Sequence, residues 1–117
     1  DELDIDADVV KVVTLHTAKG LEFLLVVIPD LEQDSFPRLF AKDQEERHEE
    51  LQSERRLLFV GMTRAMHALL LLHSESRPSP FIEELDLAYF KSATGTQGER
   101  ITHRGQASHT EAYEVLF

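Results

Sequence analysis

The chain has 117 residues, the size of one ordinary domain, and its 42% hydrophobic content is enough to build a core and excludes general disorder. The absence of cysteine excludes disulfides and thiolate zinc sites, and the formal net charge of -10 argues against a dedicated basic DNA-binding module. No apolar run is long enough to cross a membrane, and the acidic first residues are unlike a signal peptide.

The negative charge is concentrated in two stretches. Residues 1–8 form an acidic N-terminal segment, and a second acidic run lies between Asp43 and Glu54. Elsewhere the charges are close to balanced. A local contact with nucleic acid is therefore compatible with the sequence, whereas a basic surface over the whole domain is not.

The first predicted elements are two buried strands with a polar loop between them. The stretches VVKVVT (9–14) and LLVVI (24–28) are apolar and rich in β-branched residues, as buried strands are. Between them, LHTAKGLEF places His16, Lys19 and Glu22 within seven residues. So many polar groups between two core strands indicate a functional loop.

A long helix is predicted to begin near Asp43. One face is apolar, because residues at helical spacing along it are Leu51, Leu58, Met62 and Met66. The first half of the helix is almost wholly polar and should project into solvent. A third buried strand follows at 68–73, ALLLLH. The next stretch, SPFIEEL, predicts a short helix with a serine N-cap and a proline in its first position.

Residues 91–117 lack periodicity and are interpreted as a polar, flexible tail, which leaves residues 9–90 as one folded unit. Strands alternating with helices, and nearly continuous apolar strands, predict an α/β fold with a mainly parallel sheet and flanking helices. Ligands of such sheets bind at the carboxyl ends of strands. The polar loop follows the first predicted strand, so we expect it to lie at such an end.

Two motifs resemble those of a known family. VVTLHTAKGLEF resembles motif V, and SERRLLFVGMTRA motif VI, of superfamily 1 DNA helicases of the UvrD/Rep/PcrA type. LEQDSFPR is similar to the LEEGLFP loop of those proteins, and PSPFIEEL resembles the segment that closes their second motor domain. The resemblance implies that residues 9–90 are the C-terminal part of a RecA-like, P-loop NTPase-like motor domain.

The resemblance also implies the ligands and partners. In such helicases ATP and Mg²⁺ bind in a cleft between two RecA-like domains, and single-stranded DNA lies across both. The N-terminal RecA-like domain, with the P-loop and the Mg²⁺ ligands, would be a partner outside this fragment, because no GxxxxGK[ST] motif occurs in the chain. The implied location is the bacterial cytoplasm or nucleoid, and roles in DNA repair, replication or recombination are all compatible with it.

Three positions match the family's nucleotide-contacting residues. By this resemblance Arg64 is the catalytic arginine finger on the γ-phosphate, Glu22 accepts a hydrogen bond from the ribose, and Gly20 lets the backbone turn closely between the two sites. Arginine suits its role because the planar guanidinium stays protonated beside negative oxygens. Outside the motif, Arg64 could equally form a salt bridge at a helix end, and Glu22 could be a solvated carboxylate.

Three further positions match contacts to the DNA backbone, namely Thr14 and His16 with Lys19 nearby. Outside the motif, His16 would be an ordinary core or capping histidine and Lys19 a surface lysine. A loop that touches DNA through His16 and nucleotide through Glu22 would couple the two ligands, as a translocating motor requires.

The other polar residues suggest no chemistry. The remaining histidines lack metal-ligand spacing, so no metal site is predicted, and no Ser/His/Asp or Cys/His set is present. Arg55 and Arg56 are interpreted as structural residues that join the long helix to its neighbours.

Two functions from different classes remain open. One is a fragment of an ATP-dependent DNA helicase or translocase, with a helicase–nuclease fusion as a variant. The other is a non-catalytic, helicase-like module for protein interaction or regulation. The joint presence of His16, Glu22 and Arg64 favours the first, because a degenerate motor has no reason to keep all three.

The isolated 117-residue chain is expected to bind ATP weakly if at all and to show no DNA-stimulated hydrolysis, because it has no P-loop. A steady-state ATPase assay on the purified chain, with and without single-stranded DNA, measures this. Hydrolysis by the chain, with contaminating ATPases excluded, would contradict the assigned roles.

Overall fold

The computed structural model describes residues 8–95 and 113–116. In chain order its elements are β1 (Phe23–Ile28), α1 (Gln44–Met62), β2 (Ala65–Ser74), α2 (Pro80–Glu83), a 3-10 turn (Leu87–Tyr89), β3 (Ser92–Gly95) and β4 (Tyr113–Leu116). Apart from Asp8, the acidic N-terminal segment lies outside the described residues. No helix in the described ranges has the length and apolar character needed to cross a membrane.

Four strands form one sheet in the order β1-β2-β4-β3. β1 and β2 are parallel, with Phe23 opposite Ala65, and α1 connects them. β4 runs antiparallel to both β2 and β3. The predicted α/β class, with a parallel strand pair and a flanking helix, is confirmed, and so are the strands predicted at 24–28 and 68–73.

The strand predicted at residues 9–14 is absent from the described structure. Val10 and Val12 are each 92% exposed. A β-branched sequence forms a strand where a neighbour supplies hydrogen bonds and a surface to pack against, and no described strand pairs with this segment. The prediction of a third parallel strand is therefore wrong for this chain.

β3 and β4 both lie within residues 91–117, the stretch interpreted as a polar tail. β4 adds to the sheet on the side of β2 opposite to β1, with Glu114 opposite His73. The two short strands thus extend the sheet beyond the predicted unit, while the flexibility of the rest of the tail stays a prediction.

The long helix begins where the sequence predicts, but it ends at Met62, and Met66, predicted on its apolar face, lies in β2 because the chain turns at Thr63 and Arg64. One carboxylate oxygen of Asp43 accepts hydrogen bonds from two amides of the first turn at 2.8 and 3.3 Å, as an N-cap does. Glu50 reaches back to the preceding loop and accepts hydrogen bonds from the amides of Phe40 and Ala41, both at 3.0 Å. The polar half of α1 is therefore anchored at its start although most of it faces solvent.

The core lies between α1, α2 and one face of the β1–β2 pair. Its buried apolar residues are Ile28, Leu31, Leu58, Leu71, Phe81 and Ile82. On β1, Leu25 and Val27 alternate with the core-facing residues and are 51% and 47% exposed. Among the described residues the helices therefore cover one face of the sheet only.

Arg55 joins α1 to the end of α2. Its Nε and Nη2 atoms donate to the two carboxylate oxygens of Glu84, both at 2.8 Å, and its guanidinium lies 5.6 Å from the centre of the Phe81 ring. This bidentate hydrogen bonding lowers the pKa of Glu84 and raises that of Arg55. The structural role inferred for Arg55 is confirmed, whereas Arg56 is exposed and no hydrogen bond or ion pair joins it to another described residue.

Replacing Leu71, which is 0% exposed, by alanine should lower the free energy of unfolding by about 2 to 5 kcal/mol. The loss comes from the buried side-chain atoms and from the cavity they leave. Urea unfolding of the chain measures it. Leu87→Ala is the matched control because Leu87 is 54% exposed, and an equal effect of both substitutions would contradict the position of the core.

Glu84→Gln should reduce stability at neutral pH, because it removes the charge that pairs with Arg55. The pKa of Glu84 is lowered on folding, so its contribution is present above the ordinary carboxyl pKa of about 4.3 and is lost as pH falls through the lowered value. Urea unfolding at pH 7 and in acid should therefore show a difference from wild type that shrinks in acid. Glu83→Gln, at the exposed neighbouring position, is the control, and a difference that persists undiminished in acid would contradict the assignment.

Candidate functional site

The polar loop 14–22 is a compact turn held together by its first residue. The carbonyl oxygen of Thr14 accepts a hydrogen bond from the Ala18 amide at 3.0 Å. The Thr14 hydroxyl accepts one from the Thr17 amide at 3.1 Å and lies 2.8 Å from the Thr17 hydroxyl. Because these bonds close one helical turn, the backbone of the loop is fixed without a neighbouring strand.

The side chains of this loop divide into two sets. Leu15 is partly buried and packs against the core, and Ala18 is buried. The three ionisable side chains, His16, Lys19 and Glu22, are all exposed. The apolar pair thus anchors the turn to the domain while the polar groups face solvent, where a ligand can reach them.

Gly20 ends the turn with a φ of +83°. A Cβ atom at this position would meet nothing within 4 Å, so the requirement for glycine is the left-handed backbone and not a lack of space. The chain reverses here and enters β1. The predicted approach of this glycine to a nucleotide stays a prediction.

Arg64 lies in the short turn between α1 and β2, and its guanidinium is held by three acceptors. Nε donates to the Val60 carbonyl at 3.2 Å, Nη1 to the Leu21 carbonyl at 3.4 Å, and Nη2 to the Thr63 hydroxyl at 3.3 Å. The Thr63 hydroxyl itself donates to the Val60 carbonyl at 2.9 Å. The side chain is therefore partly buried and oriented before any ligand binds.

All three acceptors of Arg64 are electrically neutral. Two other arginines of the domain are paired with carboxylates at 2.8 Å, Arg55 with Glu84 and Arg77 with Asp34. In the described part of the chain no carboxylate lies within ion-pair distance of Arg64. Its positive charge is oriented but not neutralised, which suits the binding of an anion.

The structure brings Arg64 next to the end of the polar loop. The Phe23 amide donates to the Arg64 carbonyl at 2.9 Å, and the Leu21 carbonyl accepts from the Arg64 side chain. Arg64 therefore contacts the residues on both sides of Glu22. Within residues 8–95 no hydrogen bond joins it to the three predicted DNA-contacting residues at the start and middle of the loop.

The site lies at the amino ends of the parallel strands. The loop 14–22 precedes β1, Arg64 precedes β2, and parallel strands have their amino ends at the same edge of a sheet. The expectation that the polar loop lies at the carboxyl end of a strand is wrong, because it depended on the strand at 9–14 that does not form.

Sequence reasoning missed the residues that support the site. A Cβ atom at Gly61 would lie 2.4 Å from Cδ2 of Leu15 and 3.3 Å from Cδ1 of Ile28, so this buried glycine lets α1 approach the polar loop. Thr63 orients the guanidinium of Arg64. An isolated glycine inside a helical pattern was the available signal for Gly61, whereas nothing in the sequence identifies its contact with Leu15.

The described residues contain no group of three or more His, Cys, Asp or Glu side chains that could hold a metal ion. The site is thus an exposed polar turn beside an oriented arginine. Chemically it can hold anions and hydroxyl groups, such as phosphates and a sugar.

Comparison with known proteins gives a consistent family. A family model for the UvrD-like helicase C-terminal domain matches residues 1–76. DNA helicase II of Escherichia coli is 44% identical over 94 residues, which cover 72% of this chain and 13% of that protein. The ATP-dependent DNA helicase PcrA of Staphylococcus aureus is 39% identical over 95 residues, which cover 73% of this chain and 13% of that protein.

A probable DNA helicase II homolog of Rickettsia conorii is 43% identical over 86 residues, covering 65% of this chain and 13% of that protein. The matched part of the chain thus corresponds to about an eighth of the length of these relatives, 13% in each case.

Proposed function

The chain belongs to the UvrD-like helicase C-terminal domain family, and on this basis we propose that it is a C-terminal part of the second RecA-like motor domain of an ATP-dependent DNA helicase or translocase. In this proposal an N-terminal RecA-like domain of the same protein completes the ATP site with its P-loop. The single observation that carries the proposal is Arg64, held in place by neutral acceptors beside the loop that bears Glu22.

Arg64 is the catalytic residue of the proposal, acting as an arginine finger. Phosphoryl transfer spreads negative charge over the γ-phosphate oxygens, and a guanidinium placed against them stabilises that charge. Arg64 fits this role because no carboxylate among the described residues competes for its charge and because its acceptors limit the orientations it can adopt. Closure of the cleft between the two motor domains would bring the phosphate to it.

Glu22 is the proposed ribose contact. It is exposed, and it follows Leu21, whose carbonyl accepts from Arg64. A carboxylate accepts hydrogen bonds from ribose hydroxyls. The ribose and the γ-phosphate of one nucleotide would thus contact Glu22 and Arg64, which lie close together at the amino ends of β1 and β2. Gly20 gives the turn its shape between these groups and the DNA contacts.

Thr14, His16 and Lys19 are the proposed contacts to single-stranded DNA. His16 and Lys19 are exposed on the rigid turn and can donate hydrogen bonds to phosphate oxygens. Thr14 uses part of its hydrogen-bonding capacity to close the turn, so it would both shape the loop and contact the strand. Contacts of this kind bind without sequence preference, as a translocating motor requires.

Mg²⁺ would be held by the P-loop domain, and when bound it neutralises charge on the β- and γ-phosphate oxygens. The residues of this chain act on the other side of the nucleotide, at the ribose and the γ-phosphate. We place the protein in the bacterial cytoplasm or nucleoid, where DNA and ATP are both available.

In the full-length protein, Arg64→Ala should largely spare nucleotide binding and reduce turnover by about 10³ to 10⁵, which is roughly 4 to 7 kcal/mol of barrier. Arg64→Lys should restore little, because a point charge does not reproduce the planar fork. Steady-state ATPase titrations against DNA, with nucleotide binding measured separately, check this. Arg56→Ala is the control because Arg56 is an exposed arginine of α1, the helix that ends just before Arg64.

His16→Ala should have a different effect in the same assays. It should weaken single-stranded DNA binding and raise the DNA concentration needed for stimulation, with basal hydrolysis close to normal. His48→Ala, which alters an exposed histidine of α1, is the control. An unchanged maximal rate in Arg64→Ala together with unchanged DNA dependence in His16→Ala would instead support a non-catalytic interaction or regulatory module.

A further inference from the structure

The polar loop and α1 meet at one close contact. Gly61 is buried near the C-terminal end of the helix, and Cδ2 of Leu15 occupies the space where a side chain at 61 would begin. The separation from an added Cβ would be 2.4 Å, far inside van der Waals contact, and Ile28 closes the same space from another side at 3.3 Å. The contact exists only because residue 61 is glycine.

Each of the two residues in this contact lies close in sequence to a proposed ligand-binding residue. Leu15 immediately precedes His16 in a turn whose backbone is fixed by the Thr14 hydrogen bonds. Gly61 lies one helical turn before Arg64, and the Arg64 amide donates to the Gly61 carbonyl at 3.3 Å. The contact therefore links the turn at Leu15 to the end of α1 that immediately precedes Arg64.

A second contact joins the same two segments at the other end of the loop. It consists of the hydrogen bonds from Arg64 to the Leu21 carbonyl and from the Phe23 amide to the Arg64 carbonyl. Two contacts at separate points prevent the loop from rotating about the end of the helix, whereas a single contact would act as a hinge. The loop and the helix end are consequently held as one body.

We propose that Gly61 is a positioning residue that couples the DNA contact to the ATP contact by holding Leu15 against α1. The inference rests on the proposed function, since it assigns DNA to His16 and the γ-phosphate to Arg64. Gly61 itself touches neither ligand. Its role is to make a shift of the loop on DNA binding also a shift of the arginine.

Gly61→Ala breaks the link by filling the space. The new methyl group must expel the Leu15 side chain or push the loop away, and either response separates the loop from the helix end. In the full-length protein, the stimulation of ATP hydrolysis by single-stranded DNA should fall by about 5- to 150-fold, the usual range for coupling between two sites. Basal hydrolysis should stay close to wild type because Arg64 keeps its acceptors at Val60 and Thr63. The stimulation is compared at saturating single-stranded DNA, so that a change in DNA affinity does not enter the comparison.

Leu15→Ala breaks the same link from the other side by removing the group that fills the space. It should also lower the stimulation, and the double variant Gly61→Ala/Leu15→Ala should retain more stimulation than Gly61→Ala alone, because the added methyl then meets no leucine. Restoration of this kind separates a positioning role from general damage to the fold.

Two control variants complete the experiment. Ser53→Ala changes an exposed position of the same helix and should leave stimulation intact. Ile82→Val trims the same core on α2 and should lower the melting temperature without loss of stimulation. A melting curve for every variant shows whether lost stability alone accounts for lost stimulation.

The outcomes separate the two levels of inference. If the wild-type protein shows no DNA-stimulated ATPase, or Arg64→Ala has no effect on it, the proposed function fails. If both behave as proposed but Gly61→Ala keeps full stimulation, or Ile82→Val loses as much, or the double variant is no better than Gly61→Ala, the coupling role of Gly61 is overturned.

Discussion

The parallel pairing of β1 with β2 determines where α1 and the candidate site lie in this domain. Parallel neighbours cannot be joined by a tight turn, so the chain must return across the sheet, and α1 makes that return while covering one face. The pairing also puts the residues that precede both strands at one edge. The hydrogen bond from the Phe23 amide to the Arg64 carbonyl lies at this edge and brings two segments distant in sequence into contact.

The surroundings of each arginine determine what it can do. Arg55 and Arg77 each form an ion pair with a surface carboxylate, Glu84 and Asp34 respectively, and so link separate segments of the domain. Arg64 is fastened as well, but by carbonyl and hydroxyl oxygens, which orient a guanidinium without cancelling its charge. The same residue type is thus structural or available for a ligand according to whether its partner is charged, a distinction that sequence spacing does not reveal.

Features that depend on local sequence could be predicted, and features that depend on distant partners could not. The start of α1 at Asp43 and the serine-capped α2 follow from side-chain capping within a few residues. The strand at 9–14 did not form because a strand needs a neighbour, which composition does not supply. β3 and β4 were missed for the converse reason, since short strands in a polar segment are set by pairing with β2 and with each other.

The candidate site divides in the same way. The residue types and their order along the chain predict which side chains contact ligands, because the motifs are continuous in sequence, and these roles stay predictions. The support of Arg64 by Leu21 and the contact of Leu15 with Gly61 join residues far apart along the chain. Such contacts become visible only once β1 and β2 are aligned.

The uncovered side of β1 affects how copies of this chain behave toward one another. In the described ranges β1 is one of the two edge strands of the sheet, and Leu24, Leu25 and Val27 are exposed on it. An open apolar strand edge is a template for self-association, and the net charge of -10 opposes it by repulsion between molecules. Because added salt screens that repulsion and leaves the apolar edge unchanged, the colloidal solubility of the chain should fall as ionic strength rises.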